Sequence, residues 1–278
     1  NTQDTYQLGY ANFKVGNYPK AIKELEKLVD QKDIYAQSGN YTLGNAFLKT
    51  DNKQSARNAF LLASKFSFDA QIEEDALFEY AKMSSEIDFK SEVLDATRLY
   101  LGKYPGTTKM NEVKTLLAEE LLNSHNYKEA IDILEPIPNK SPSAREAYQK
   151  VNYYRGLEFY NERAFENAIG VFLRSLNNPI NKNIETLTTY WMAEAMYEVR
   201  KYGESVETFE KFLAMPDAAT TNVYNDANYA LAYAAFGGEQ YKKAATYFEK
   251  FLASDEKDVN TINDAVSRLA DSYFVMKD

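Results

Sequence analysis

The sequence predicts an all-α protein, a solenoid of stacked helical hairpins, and three observations predict it. A short pattern recurs as Asn17-Tyr18-Pro19-Lys20-Ala21-Ile22, Asn126-Tyr127-Lys128-Glu129-Ala130-Ile131 and Gln240-Tyr241-Lys242-Lys243-Ala244-Ala245. The small residue near the start of each second helix falls at Ala21, Ala56, Val93, Ala130, Ala168, Ser205 and Ala244, spaced by 35, 37, 37, 38, 37 and 39 residues. A near-constant period marks an array of one repeated unit. Apolar residues recur with a 3.6-residue period and no convincing alternating run exists, so no sheet is expected.

The first helix of each unit carries a bulky residue followed by a small one: Leu8-Gly9, Leu43-Gly44, Tyr80-Ala81, Leu117-Ala118, Met192-Ala193, Leu231-Ala232 and Leu269-Ala270. Glycine inside a helix costs about 1 kcal/mol relative to alanine, so its recurrence reads as a demand for close helix approach. Arg155-Gly156 departs from the pattern, and the Arg155 stem is expected to cover apolar surface while its head reaches water. The second helix repeats apolar or small residues at i, i+4 and i+7, as in Ala56, Phe60, Ala63 and Ala244, Phe248, Phe251. That spacing lines one face.

Breakers fall between these segments. Pro19 suits the first turn of a helix. Lys103-Tyr104-Pro105-Gly106, Pro136 to Pro142, Pro179 and Pro216 follow second helices. Gly16 and Gly203 are read as the tight turns inside their hairpins, with Asn52, His125, Glu162 and Glu239 serving elsewhere. The resulting helices are 2–15, 18–31, 35–49, 53–66, 72–86, 90–103, 109–123, 127–135, 144–161, 165–177, 184–199, 202–214, 222–236, 241–253 and 259–276. The expected organisation is one solenoid over 1–278, with hairpins at about 2–34, 35–71, 72–108, 109–143, 144–183, 184–221 and 222–258, and a last helix at 259–276.

The units resemble the tetratricopeptide repeat (TPR) family. Leu8, Gly9, Gly16, Tyr18 and Ala21 carry the likeness in the first unit, Leu43, Gly44, Phe47, Ala56, Phe60 and Ala63 in the second, and Gly156, Phe159, Ala168 and Phe172 in the fifth. The sixth offers Ala193, Tyr202 and Phe209, and the seventh Leu231, Tyr241, Ala244 and Phe248. The third and fourth are degenerate. The resemblance implies a right-handed α-solenoid of tetratricopeptide-like hairpins, an alpha-alpha superhelix. It also implies a non-catalytic scaffold that binds a protein or peptide segment in a concave groove lined by the first helices. The loose period and the lack of cysteine look similar to bacterial cell-envelope members, so the periplasm or outer-membrane periphery is the expected location, with the cytoplasm as alternative. The final helix presents Leu269, Ala270 and Tyr273 to a partner helix that this sequence lacks. A continuing chain is favoured over a cap made by Asp264, Ser267 and Asp271. Open solenoid ends would also allow self-association.

Composition narrows the chemistry. The 278 residues are 45% hydrophobic, which argues against disorder. With 41 acidic and 32 basic residues the formal charge is -9, and no basic stripe exists, so nucleic acid is a poor partner. No cysteine is present and His125 is the one histidine, which removes thiol chemistry and multi-histidine sites. No apolar run is long enough to span a membrane as a helix. Glu73-Glu74-Asp75 reads as a solvated helix start. Asp255-Glu256-Lys257-Asp258 lacks the glycine and spacing of a calcium loop, and Gly237-Gly238 lacks the lysine of a phosphate loop. No catalytic constellation or cofactor is expected.

The candidate groove residues are Tyr6, Tyr10, Tyr41, Asn45, Tyr153, Tyr160, Tyr190, Glu194, Tyr197, Tyr229 and Tyr233, from a chain with 22 tyrosines. Tyrosine offers a large contact area and a hydroxyl at low entropic cost. Packing between neighbouring first helices is the competing use of each. Tyr10 and Tyr233 stand where the family more often has a polar residue, which makes them the sharper candidates. Lys14 and Asn45 are the nearest material for a carboxylate clamp, and they lack the paired basic residues that clamp implies. Two other roles stay open: a structural spacer or oligomerisation module, and the recruiting part of an enzyme whose catalytic domain lies elsewhere.

Overall fold

Helices form where the apolar period places them in the computed structural model, which describes residues 1–254 and 258–277. The chain divides into two compact units, 1–126 and 127–278. The first holds α1 (Thr2–Lys14), α2 (Tyr18–Leu25), α3 (Ile34–Lys49), α4 (Lys53–Ala63), α5 (Ala70–Glu86), α6 (Lys90–Lys103) and α7 (Met110–Asn123). The second holds α8 (Tyr127–Leu134), α9 (Pro142–Asn161), α10 (Phe165–Leu176), α11 (Lys182–Glu198), α12 (Tyr202–Leu213), α13 (Tyr224–Gly237), α14 (Tyr241–Leu252) and α15 (Val259–Val275). The described residues contain no strand. Short 3-10 turns at Glu26–Leu28 and Ala218–Thr220 are additions to the predicted set, the first replacing the end of a helix expected to reach residue 31.

One local device closes the hairpins. Gly16, Asp51, Asp88, His125, Arg163, Arg200 and Glu239 each hold φ between 58 and 76°, in the left-handed region. Each stands five residues before the small residue that defined the period. The next residue then donates its N–H back over the last helical turn: Asn17 to the Asn12 carbonyl at 2.9 Å, Asn52 to Phe47 at 2.9 Å, Ala164 to Phe159 at 2.8 Å, and Gln240 to Ala235 at 2.8 Å. This is the Schellman closure, which satisfies carbonyls that a helix end leaves orphaned. The turns are therefore alike, although the residues are not. Gly203 is not a turn residue: it lies inside α12, and the turn before it is made by Arg200. At this hairpin a charged side chain adopts the conformation expected of the glycine three residues on.

The recurring small residue has the packing role expected of it. A Cβ added at Gly9 would sit 2.6 Å from the Leu25 side chain, and one at Gly44 would sit 2.6 Å from the Phe60 ring. Gly156 stands in the same relation to Phe172. These rings and Leu25 are fully buried, as are Phe209, Phe212, Phe248 and Phe251 in the second unit. Arg155 differs from the expectation: its charged head, not its stem alone, lies on apolar surface, 3.9 Å from the centre of the Phe159 ring, and pairs with Glu158.

Polar side chains fasten the loops between hairpins. Gln37 is fully buried, donating to the carbonyls of Phe66 (2.7 Å) and Asp69 (3.0 Å) and accepting from the Asp69 N–H (2.8 Å). Gln149 fastens a second loop with the roles shared differently, accepting from the N–H groups of Ile180 (3.1 Å) and Asn181 (2.7 Å) and donating to the Asn181 carbonyl (3.0 Å). The residues so held, Asp69 and Asn181, are the N-caps of α5 and α11. Glu73, Glu74 and Asp75 are not a solvated helix start. Glu73 is buried and pairs with Lys103, Glu74 accepts from the Tyr100 hydroxyl at 2.6 Å, and Asp75 pairs with Lys109. Acids in a first turn gain from the helix dipole whether exposed or not, so the sequence signal did not separate the two cases. Pro142, read as loop, is the first residue of α9 behind the Ser141 cap. The acidic run read against calcium includes 255–257, which lie outside the described residues.

A candidate partner-binding cleft in the second unit

Tyr190, Glu194 and Tyr197 stand at i, i+4 and i+7 on α11, which places them on one helical face. Asp226, Tyr229 and Tyr233 form the matching row on α13. The opposite faces are fixed in the core: Ala193 and Leu231 are fully buried, within the apolar cluster that holds Phe209 and Phe248. The rows cannot rotate without opening that core. Between them, with Ala230 and Thr261 completing the wall, lies a cleft of about 420 Å³. Ala230 is the small side chain that leaves room between the tyrosines.

The walls are aromatic and the charge is acidic. Tyr229 and Tyr233 meet edge to face with ring centres 5.0 Å apart. Tyr190 meets Trp191 at 5.2 Å and Phe209 at 5.8 Å. The Tyr190 and Tyr160 hydroxyls lie close enough to Glu194 to favour its charged form. Burial pushes its carboxyl up to about 7, with the negative charges of Glu198 and Asp226 adding to the rise and the two hydroxyls opposing it. Tyr190 is raised by burial and by the same carboxylate, as is Tyr160. On α15, Asp264 accepts from the Tyr229 hydroxyl at 2.7 Å and from the Tyr233 hydroxyl. Its burial, the largest effect, works upward, yet these hydroxyls and Arg268 together leave its carboxyl lowered. Tyr229 is raised, by burial first and then by Asp264.

Five of the sequence-predicted residues therefore line one cleft: Tyr190, Glu194, Tyr197, Tyr229 and Tyr233. Tyr160 touches it through Glu194 and packs edge to face on Trp191 at 5.1 Å. Tyr153 is buried, 6.4 Å from the Phe172 ring centre, and burial pushes its hydroxyl up to about 12. The remaining four lie in the first unit. Tyr6 stacks on Tyr10 at 5.7 Å, Tyr41 packs on Phe60 at 5.7 Å, and Asn45 donates to the Tyr41 carbonyl at 3.0 Å. Lys14 sits over the Tyr10 ring at 5.2 Å. Sequence reasoning missed Asp226, Thr261, Trp191 and the use of Asp264, which it noted only as a polar residue of the last helix. The available signal was register: Asp264 follows Tyr229 by 35 residues, close to one repeat.

The fold and this cleft define a class, the helical-hairpin array with a lined first-helix face. The tetratricopeptide repeat family matches residues 6–70, in the first unit, and 192–259, from within α11 to the start of α15 in the second. Each unit thus contains a segment that matches this family, whose architecture is in general use for protein–protein interaction. No curated protein matches the sequence. Among solved structures, the C-terminal part of a TPR repeat-containing protein from Cytophaga hutchinsonii is 18% identical, with 93% of this chain and 98% of that one covered and a TM-score of 0.50. A tetratricopeptide repeat protein from Parabacteroides merdae is 13% identical over 97% and 98% of the two chains, with a TM-score of 0.46. The TPR2AB domain of yeast Sti1, in a complex with pHSP90, is 11% identical over 98% of both, also at 0.46.

Proposed function

We propose that the protein is a non-catalytic scaffold that holds a segment of a partner protein against the first helices of its second unit. The observation that carries this reading is the cleft between α11 and α13. Its volume of about 420 Å³ falls in the range of binding pockets, and its walls are tyrosines whose backs are locked in the core. Rigid aromatic side chains that already hold their bound geometry lose little entropy on association. The cleft's groups are phenols and carboxylates on helices, arranged for contact and hydrogen bonding.

Site-specific photocrosslinking in the source cell tests the proposal. A photoreactive phenylalanine derivative replaces Tyr197 in the cleft or Lys242 on α14, outside it. The expected result is one crosslinked partner from position 197 and none from position 242. Equal crosslinking at both, or crosslinks at 242 alone, would remove the cleft from the function.

A further inference from the structure

We infer that the exposed face of α15 receives an amphipathic helix from a partner polypeptide, one with an aromatic residue and a leucine or phenylalanine seven positions apart. The pairing inside the hairpins carries the inference. Four first helices offer a small residue and, four positions on, an aromatic one: Gly9 and Phe13, Gly156 and Tyr160, Ala193 and Tyr197, Ala232 and Phe236. The small residue lies under a bulky one of the second helix. Leu25 covers Gly9 and Phe172 covers Gly156, while Ala193, Phe209, Ala232 and Phe248 are fully buried in one apolar cluster. The aromatic one meets a ring at the start of the second helix, with centres 5.3 to 5.8 Å apart. Each of these second helices therefore brings two residues seven apart on one face: Tyr18 and Leu25, Phe165 and Phe172, Tyr202 and Phe209, Tyr241 and Phe248.

Ala270 and Phe274 hold the same two places on α15. Burial fixes the register: Ala265 and Ser272 are fully buried, 38 residues after Ala227 and Ala234, which are fully buried on α13. Yet Ala270 is exposed, as are Phe274 (76%) and Val266 (51%), which stand one turn to either side of it. The counterparts of Val266 are Asn152, Thr189 and Asn228, all polar and all buried. This row is thus more apolar on α15 than on helices where it is covered, the reverse of what a solvent-facing cap needs. Arg268 and Asp271, the charged residues between Val266 and Phe274, pair with each other at 3.2 Å off the row. Tyr273 is tied back to Glu249 on α14 at 2.5 Å. An incoming helix continues the stacking that α13, α14 and α15 have begun. Its aromatic residue packs on Phe274 and its leucine or phenylalanine on Ala270. A second copy of this chain offers no such face, because its Leu25, Phe172, Phe209 and Phe248 are fully buried.

Fluorescence anisotropy of a labelled peptide mixed with the full chain tests this. The probe is a synthetic copy of residues 240–254, which hold α14 and its pair Tyr241 and Phe248. Short helices are marginal alone, so a hydrocarbon staple replaces Lys242 and Thr246, both exposed on α14. The expected result is binding that Ala270→Glu in the chain weakens by at least about tenfold, with helical circular dichroism unchanged. Phe274→Ala in the chain and Phe248→Ala in the peptide should each weaken it as well. Binding indifferent to Ala270→Glu would mean that the peptide enters elsewhere, such as in place of α14, and would overturn the inference, as would the absence of binding. Sedimentation velocity of the chain alone tests the rival occupant. A monomer is expected, whereas a dimer that Ala270→Glu dissociates would assign the face to a second copy and overturn the partner helix. The cleft between α11 and α13 is decided separately, by the crosslinking at position 197.

Discussion

At the scale of single residues, the side chains with most consequence are polar and half or fully buried. Glu194 holds its proton up to about pH 7, against an ordinary glutamate value of about 4.3. Between those values the folded chain binds a proton that the unfolded chain releases. Stability therefore falls as pH rises through that window, and the loss is complete above it. Glu194→Gln, which cannot ionise, should match the parent at pH 4 and exceed it at pH 8 by up to about 3 kcal/mol. Urea denaturation at the two pH values, followed by Trp191 fluorescence, measures the difference. Gln149 makes a second case. Its amide closes the α10–α11 loop through three backbone bonds, at 3.0, 3.1 and 2.7 Å. Gln149→Ala should cost about 2–3 kcal/mol in the same assay, because buried backbone groups lose their partners. Neither role was legible in the sequence. A glutamine whose partners are main-chain atoms leaves no companion residue to find, and the groups that shift Glu194 include Tyr160 and Asp226, each on a different helix. The tyrosines were legible, because their helical spacing fixes a shared face before any contact is known.

Among helices and turns, the repeat period and the turn conformation are one fact seen twice. The left-handed residues recur at the same 35- to 39-residue intervals as the small residues that follow them. Aromatic pairs span several of these turns five residues apart: Phe13 with Tyr18 at 5.8 Å, Tyr160 with Phe165 at 5.3 Å, Tyr197 with Tyr202 at 5.8 Å, and Phe236 with Tyr241 at 5.4 Å. Each pair clamps the end of one helix to the start of the next, so most helix boundaries could be read within two residues. The turn residue itself was read correctly at Gly16, His125 and Glu239 and missed by one to three positions at Asp51, Arg163 and Arg200, since nothing in an aspartate or arginine side chain marks left-handed backbone. Gly237 is a glycine at a helix end that serves packing: a Cβ there would lie 2.8 Å from the Tyr202 ring. Two substitutions separate the cases. Arg200→Gly should stabilise the protein by about 0.5–1 kcal/mol, because the left-handed cost of a non-glycine residue disappears. Gly156→Ala should destabilise it by about 1–3 kcal/mol despite the better helix propensity of alanine, because the Phe172 ring must move. Thermal unfolding of the two variants should shift in opposite directions.

At the largest scale, the governing property inside each unit is that helices pack on their neighbours in sequence, as α3 does on α4 and α5 on α6 in the first and α11 on α12 and α13 on α14 in the second. This was the most legible level, because a period in the sequence is a period in the contacts. It also predicts how damage spreads. Phe60 is fully buried between α3 and α5, against Tyr41, in the apolar cluster that includes Phe78 and Tyr100. Removing its ring leaves a cavity that these helices cannot refill, at a cost of about 3–5 kcal/mol. In a protein with one closed core, such a loss lowers protection against hydrogen exchange everywhere. In a nearest-neighbour array it is confined to the helices that touch the lesion and those stacked directly on them. Phe60→Ala should therefore speed exchange of amides in α3 to α6, while those of α12 to α14, built around Phe209, Phe212, Phe248 and Phe251, keep parental rates. Hydrogen-exchange mass spectrometry resolves the two groups, since their peptides are far apart in sequence. Equal acceleration in both would mean that the chain unfolds as one cooperative body, and the nearest-neighbour account of its stability would fail.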